Sequence, residues 1–365
     1  MLKNYLTDVG IPAESSVPLK HSRILQGPYQ MSFDITNKCN FHCLHCFNRS
    51  GENPIIKNEL TDKESIEFAE DLSSIKLFNF CFCGGEPFLR FDLMCKMSKI
   101  LSRSGSIVSF VSNGSLITKE KAYRLLDSGV TRAQVSLDGA REESYEKLRQ
   151  VKGSFRKAVN AIKILKQTGF KEINVSFCPT KFNINEVRET YMLAKSLGAD
   201  SFRVQPLMIL GRGLLNRSLI MPSPQQYREL VRTINDLKNE YQNPDNTQIE
   251  WGDPVDHLIR FPTVCEHCTT FIGVKADGSI QASPYLPIIV GNIRKHKFTE
   301  YWDKGLARMW EIPQVREMAK KVMSVADMGK KHNNMPMVWF EEDIKLDIID
   351  DNLFGGTYDK SKTNF

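Results

Sequence analysis

Three thiols, Cys39, Cys43 and Cys46, fall within eight residues of the run Met31-Ser-Phe-Asp-Ile-Thr-Asn-Lys-Cys39-Asn-Phe-His-Cys43-Leu-His-Cys46-Phe47, in the spacing C-x3-C-x2-C. A cubane iron–sulfur cluster has four irons, and three thiolates on one loop hold three of them. The fourth iron is then open to chelate a small molecule. Two other readings fit the spacing. Tetrahedral zinc wants four ligands, and His42 or His45 can supply the fourth. Free cysteine is also among the most buried residue types, although three so close on a polar loop seldom serve packing alone.

A second group of residues is suited to holding that small molecule. In Cys83-Gly84-Gly85-Glu86-Pro87 two glycines let the backbone approach a ligand with no Cβ in the way. Ser112-Asn113-Gly114 and Ser136-Leu-Asp138-Gly139 each set small polar side chains beside a glycine, where a ribose or carboxylate can be hydrogen-bonded. Arg149 follows Gly139 by ten residues and offers a planar fork to a carboxylate, though an isolated arginine is more often a surface residue. Gly211-Arg212-Gly213, after Arg203-Val-Gln205-Pro206, forms a further glycine-rich loop of a kind common in β/α proteins.

The elements that must carry these residues alternate. Short apolar runs predict strands over Met31–Thr36, Leu77–Phe82, Ile107–Val111, Thr131–Leu137, Glu172–Phe177 and Ser201–Gln205. Amphipathic patterns predict helices over Asp62–Ser74, Phe91–Arg103, Lys119–Ser128, Ser154–Thr168, Asn185–Leu197 and Pro224–Tyr241. Gly105, Gly129, Gly169 and Gly198 each sit just past a helical pattern, where a left-handed cap is expected. Strands alternating with helices argue for parallel β/α units with right-handed crossovers. Six units are too few to close an eight-fold barrel, so an α/β fold of the partial (β/α)6 TIM-like type is expected, with its site at the C-terminal ends of the strands. Each motif above falls on such an end. Residues 243–264 read as a linker, Asp277-Gly278 as a hairpin turn, and the polar tail after residue 326, with Asp347, Asp350 and Asp351, as a fraying end.

Together the motifs resemble the radical S-adenosylmethionine (radical SAM) enzymes over about residues 28–305. The resemblance implies a [4Fe–4S] cluster on Cys39, Cys43 and Cys46, with S-adenosylmethionine chelated at the open iron. It implies that Gly84, Gly85 and Glu86 touch the methionine amino group, that Arg149 pairs with the methionine carboxylate, and that Asn113, Ser136 and Asp138 line the cofactor. Gly211-Arg212-Gly213 is expected near the adenine. The activity implied is generation of a 5′-deoxyadenosyl radical that abstracts hydrogen from a substrate carbon, with an electron from a flavodoxin- or ferredoxin-type donor.

The segment Cys265-Glu-His-Cys268, with Asp277-Gly278, Ser283, Gly291-Asn292-Ile293 and Tyr301-Trp302, is similar to the SPASM or twitch extension of that family. Such an extension usually holds auxiliary clusters through several cysteines. Here Ser283 stands where a cysteine is expected, and no cysteine follows Cys268. Cys265 and Cys268 are the metal-ligand candidates there, and His267, Ser283 or Cys178 would have to complete a set. One cluster, not two, is therefore expected, with Cys268 or Cys178 as a catalytic thiol able to return a hydrogen atom. The implied organisation is an N-terminal segment (1–27), a radical SAM barrel (28–242), a SPASM/twitch-like extension (243–325) and a tail (326–365). The leading expectation is maturation of a ribosomally made peptide, with or without a separate recognition protein. The alternatives are a small-molecule oxidoreductase acting on a tetrapyrrole side chain or sugar, and an inactive metal-binding scaffold.

Composition narrows the setting. Nine cysteines in 365 residues lack the dense, even framework of a small secreted domain, which points to a reducing, cytoplasmic compartment. The net charge of +6 is spread over mixed Lys and Glu without an arginine-rich stripe, so nucleic acid is not an expected partner. No window reaches the roughly eighteen apolar residues of a membrane span, so no membrane partner is expected.

Overall fold

The computed structural model describes residues 25–51, 56–241, 243, 246–253, 255, 258, 268–325, 327 and 343–354. Strands β1 (Gln30–Asp34), β2 (Asn79–Cys83), β3 (Ile107–Ser112), β4 (Val130–Ser136), β5 (Glu172–Phe177) and β6 (Ser201–Val204) lie side by side in chain order. All five contacts between them are parallel. Helices α1 (Asp62–Leu72), α2 (Phe91–Arg103), α3 (Lys119–Asp127), α4 (Glu142–Arg149), α5 (Ser154–Thr168) and α6 (Val187–Ser196) fill the crossovers. The short α7 (Gly211–Leu215) and α8 (Arg217–Ile220) precede α9 (Pro224–Glu240). The partial β/α barrel expected from the sequence is present.

Parallel strands buried on both faces usually read as unbroken apolar runs. These do not. Along β1 and β2, Phe33, Phe80 and Phe82 are fully buried, and Phe33 meets Phe68 of α1 edge-on with ring centroids 5.5 Å apart. Their neighbours Ser32, Asp34, Cys81 and Cys83 face a cavity inside the barrel. Side chains alternate across a strand, so apolar residues pack under the helices while polar ones line the lumen. β4 and β5 repeat the pattern, with Val135 and Val175 buried and Gln134, Ser136 and Ser176 on the cavity. A lumen lined this way is built to hold a polar ligand.

The glycines past α2, α3, α5 and α6 adopt the left-handed backbone expected of them, with φ of +94°, +89°, +93° and +78°. The structure departs from the sequence reading in three places. Within the expected linker, β7 (Gln248–Trp251) pairs in parallel with β6. Helix α4 falls in a stretch whose buried apolar residues are Tyr145 and Leu148, too few to announce a helical period. The tail does not fray over its described part. There Ile344–Lys345 forms β11 beside β10 (Ile288–Asn292). Asp347 accepts from Tyr301 Oη at 2.9 Å, Asp350 meets Lys295 at 2.8 Å, and Asp343 pairs with the buried Lys275. Asp347 and Asp350, which made the tail look solvated, instead pair with cations of the extension, and Asp351 accepts from Asp347 N.

That extension continues the same sheet. The expected hairpin is formed by β8 (Phe271–Val274) and β9 (Ser279–Gln281), with Gly278 at φ +84° in its turn. β8 pairs in parallel with β1, Gln30 opposite Phe271. Helices α10 (Phe298–Lys304) and α11 (Pro313–Lys320) follow. Among the described residues no helix is long and apolar enough to cross a membrane.

Candidate active site

The cysteine loop leaves β1 and is held from three sides. Gly85 N donates to Thr36 O at 2.8 Å and Glu86 N to Lys38 O at 2.9 Å, while Leu44 N reaches Leu148 O at 3.0 Å. The third clamp is Arg212, whose backbone N donates to Cys46 O at 2.9 Å and whose Nε donates to Cys43 O at 2.9 Å. Its Nη2 reaches Ser50 O at 2.5 Å. The Gly-Arg-Gly loop expected beside the adenine thus grips the backbone of the cysteine loop, because a buried guanidinium finds carbonyl acceptors there. Gly211 has φ +53°, and a Cβ on it would meet Phe47 O. Gly211→Ala should cost about 1–2 kcal/mol for the left-handed backbone alone, with the clash in addition. A lowered unfolding midpoint and impaired cluster retention are the readouts, and unchanged retention would show that the clamp is not needed.

Cys39, Cys43 and Cys46 open into a cavity of about 410 Å³ together with Gly84, Gly85, Asn113, Ser136, Asp138, Arg149 and Cys178. Sequence motifs spread over 140 residues therefore converge on one space. The two glycines earn their place by proximity: a Cβ on Gly84 would strike Thr36 O and one on Gly85 would strike Lys38 O. Asn113 Nδ2 donates to Asn40 Oδ1 at 2.9 Å and stands 4.0 Å from Cys39 Sγ.

Several expected contacts are arranged differently. Glu86 is fully buried and does not line the cavity. Its oxygens accept from Ser112 Oγ at 2.9 Å, Asn113 N at 2.9 Å and Phe88 N at 3.2 Å, and burial pushes its carboxyl up to about 7. Occupied on both oxygens, it shapes the Ser112-Asn113 turn and does not face the cofactor space. Arg149 is already paired: Nε donates to Asp138 Oδ2 at 2.7 Å, and Nη1 points to Cys43 Sγ at 3.8 Å. Asp138 also accepts from Cys178 N at 2.8 Å. A guanidinium buried this deeply needs a carboxylate, and Asp138 supplies it. Cys178 lines the cavity, whereas Cys268 does not. Cys265 and His267 lie outside the described residues, and Ser283 is fully buried, accepting from Tyr285 N in a turn.

The donor set fits a cluster better than a single ion. Among the described residues the ligand atoms of the three cysteines do not gather within 4.8 Å of one another, as a lone ion with metal–sulfur bonds of about 2.3 Å requires. His42 is exposed and off the cavity. Burial pushes the Cys39 thiol up to about 12 and the Cys43 thiol up to about 11, so metal loading must displace protons. His45 faces the cavity with Nδ1 buried and lacking a hydrogen-bond partner, and burial holds its ring down to about 4. A neutral ring with an orphaned nitrogen fits a bound polar group.

The model of the Radical SAM superfamily matches residues 33–194, the stretch that carries the three cysteines, Gly84–Glu86, Asp138 and Arg149. The chain belongs to the radical SAM superfamily. It is similar to the AdoMet-dependent heme synthase of Methanosarcina barkeri, 28% identical over 296 residues that cover 76% of this chain and 83% of that protein. It is also similar to mycofactocin maturase MftC of Mycolicibacterium smegmatis, 32% identical over 208 residues covering 57% of this chain and 52% of that one. In fold it matches SuiB of Streptococcus suis bound to S-adenosylmethionine, with a TM-score of 0.64 at 15% identity, covering 88% of this chain and 77% of SuiB. As a radical SAM enzyme it uses a [4Fe–4S] cluster and S-adenosylmethionine.

Two features of the radical SAM cavity were missed in the sequence. Arg203 and Gln281 line it, and Cys81 and Cys83 share its wall. The signal available was alternation: Cys81 sits between the buried Phe80 and Phe82, and Arg203 between the buried Phe202 and Val204.

Proposed function

We propose that this radical SAM enzyme abstracts hydrogen from a carbon close to a carboxylate on a small molecule of the tetrapyrrole class. One observation carries this reading. Arg203, on β6, lines the cavity with a buried Nε that has no hydrogen-bond partner, while Arg149 and Arg212 in the same space are paired. Gln281 Nε2 is likewise buried without a partner. A cation and an amide donor left open in a lumen suit an anionic group, which a guanidinium binds through two parallel donors. Relatives that match along most of their length are heme synthases, whereas the MftC match spans about half of each chain. The cavity is at the small end of ligand pockets, roughly 300–1,000 Å³, and suits a cofactor plus a projecting arm of substrate. Peptide maturation, the leading expectation from the sequence, is the second reading and draws on MftC.

When bound, the cluster and S-adenosylmethionine supply the one-electron chemistry that takes hydrogen from an unactivated carbon. Cys39, Cys43 and Cys46 would hold the cluster. Gly84, Gly85, Asn113 and Ser136 shape the cofactor space, Glu86 sets the Asn113 turn, and Asp138 holds Arg149 against the cysteine loop. Arg203 orients the substrate arm. A flavodoxin- or ferredoxin-type donor in the cytoplasm delivers the electron. With Ser283 committed to a turn, one cluster is expected: about four irons after reconstitution, and none in a variant lacking Cys39, Cys43 and Cys46.

The test is anaerobic incubation of the reconstituted enzyme with an iron porphyrin carrying free propionates, or with its methyl esters, read by mass spectrometry. Turnover of the free acid and not the ester is expected. Arg203→Ala should weaken binding by about ten- to a hundred-fold, since a hydrogen bond to a charged group contributes about 1.5–3 kcal/mol. Equal handling of acid and ester, or of wild type and variant, would remove Arg203 from the substrate site.

A further inference from the structure

The barrel wall holds two thiols that no role above uses. Cys81 and Cys83 sit two residues apart on β2, so they project from the same face of the strand. Both line the cavity that the cluster cysteines open into, and their sulfurs are 3.6 Å apart. That is about 1.5 Å more than a covalent S–S bond. Between and before them Phe82 and Phe80 are fully buried on the opposite face, with their rings edge-on at 4.9 Å, which fixes the strand and hence the thiol pair. The flanking register sets Ser32 beside Cys81 and Asp34 beside Cys83. The lumen side of β2 thus presents a preformed dithiol in the space where a substrate radical would arise.

We propose that Cys81 and Cys83 form a redox dithiol that closes the reaction by returning a hydrogen atom to a carbon radical. The atom passes from one thiol, so that a C–H bond forms and an S–H bond breaks. The resulting thiyl joins the neighbouring thiol, which loses its proton, and an S–S bond forms. One electron then leaves to a one-electron acceptor of the iron–sulfur or flavin class, and a two-electron dithiol reductant restores both thiols. Asp34, whose carboxyl burial pushes up to about 7, is a base for the released proton. The 3.6 Å sulfur contact favours this pair over Cys178, which lines the same cavity, and Cys268 is off the cavity. The inference does not rest on the substrate reading, because a carbon radical of any source is quenched in the same way.

Two measurements test it, and neither needs the substrate. In the first, apoprotein is oxidised anaerobically with oxidised glutathione and then alkylated. A Cys81–Cys83 disulfide in the peptide spanning 79–90 is expected in wild type and absent in Cys83→Ser. Independent alkylation of both thiols in native wild-type protein would overturn the dithiol. In the second, the reconstituted enzyme is reduced in D2O with S-adenosylmethionine alone. Exchangeable thiol deuterium should appear in the methyl group of 5′-deoxyadenosine. Cys81→Ser/Cys83→Ser should lose this label while keeping its visible cluster absorbance and its yield of methionine. Label persisting in that double variant would assign the hydrogen to another source.

Discussion

Cys43→Ala is expected to abolish reductive cleavage of S-adenosylmethionine, with methionine and 5′-deoxyadenosine falling to the level of enzyme without reductant. Cys43 is the most enclosed of the three loop thiols: it is buried, whereas Cys39 and Cys46 are half-buried. Its carbonyl is gripped by Arg212 and its sulfur faces Arg149. Removing it leaves two thiolates for a cluster that needs three from the loop, and a hydroxyl or methyl does not replace a soft ligand. Anaerobic turnover by chromatography is the check. Cys95→Ala is the control, since Cys95 is buried on α2 away from the cavity and should leave turnover intact. Cleavage that survives in Cys43→Ala would sink the assignment of the cluster to this loop.

The second large effect is on stability. Arg149→Ala leaves Asp138 buried with its main cation gone, and breaking a buried pair on one side costs about 3–5 kcal/mol. Arg149→Ala/Asp138→Asn should lose less than Arg149→Ala alone, because the stranded charge is removed while Cys178 N keeps its acceptor. Such non-additivity is the mark of two groups acting together. Arg149→Lys should not restore wild-type behaviour, since an ammonium cannot offer two parallel donors. Denaturant unfolding of the apoprotein measures these variants, the Asp138→Asn single variant that closes the cycle, and wild type. Arg149→Ala as stable as wild type would show that Asp138 is satisfied without the guanidinium.

The barrel was legible because its signals are local: strands of alternating residues, helices with one apolar face, and glycines that take positive φ just past helix ends. The cysteine spacing and Gly84-Gly85 were legible for the same reason, since each lies within a few residues of one turn. What stayed hidden depends on partners far along the chain. Arg149 looked available because the sequence does not say that Asp138 will bury its Nε. Glu86 looked like a cofactor contact because nothing local shows that Ser112 and Asn113 will occupy both its oxygens. β7 and β11 are four and two residues long and form by pairing with strands already in place, not from their own pattern. The Asp-rich tail was misread for a related reason: its cations, Lys275, Lys295 and His296, lie some fifty or more residues earlier.

The pairing of β8 with β1 also sets a timetable. Gln30 finds its second neighbour at Phe271, so the strand that leads into the cysteine loop keeps one edge open until some 240 further residues have been made. At roughly 5–20 residues per second, that wait during synthesis is on the order of ten seconds or more. An open edge is a template for pairing with other chains. The nascent protein is therefore most exposed to aggregation, and its thiols to oxidation, just before the last third of the chain emerges. A chain cut in the 243–264 stretch would remain in that state, with the strand that leads into the cysteine loop as a permanent edge.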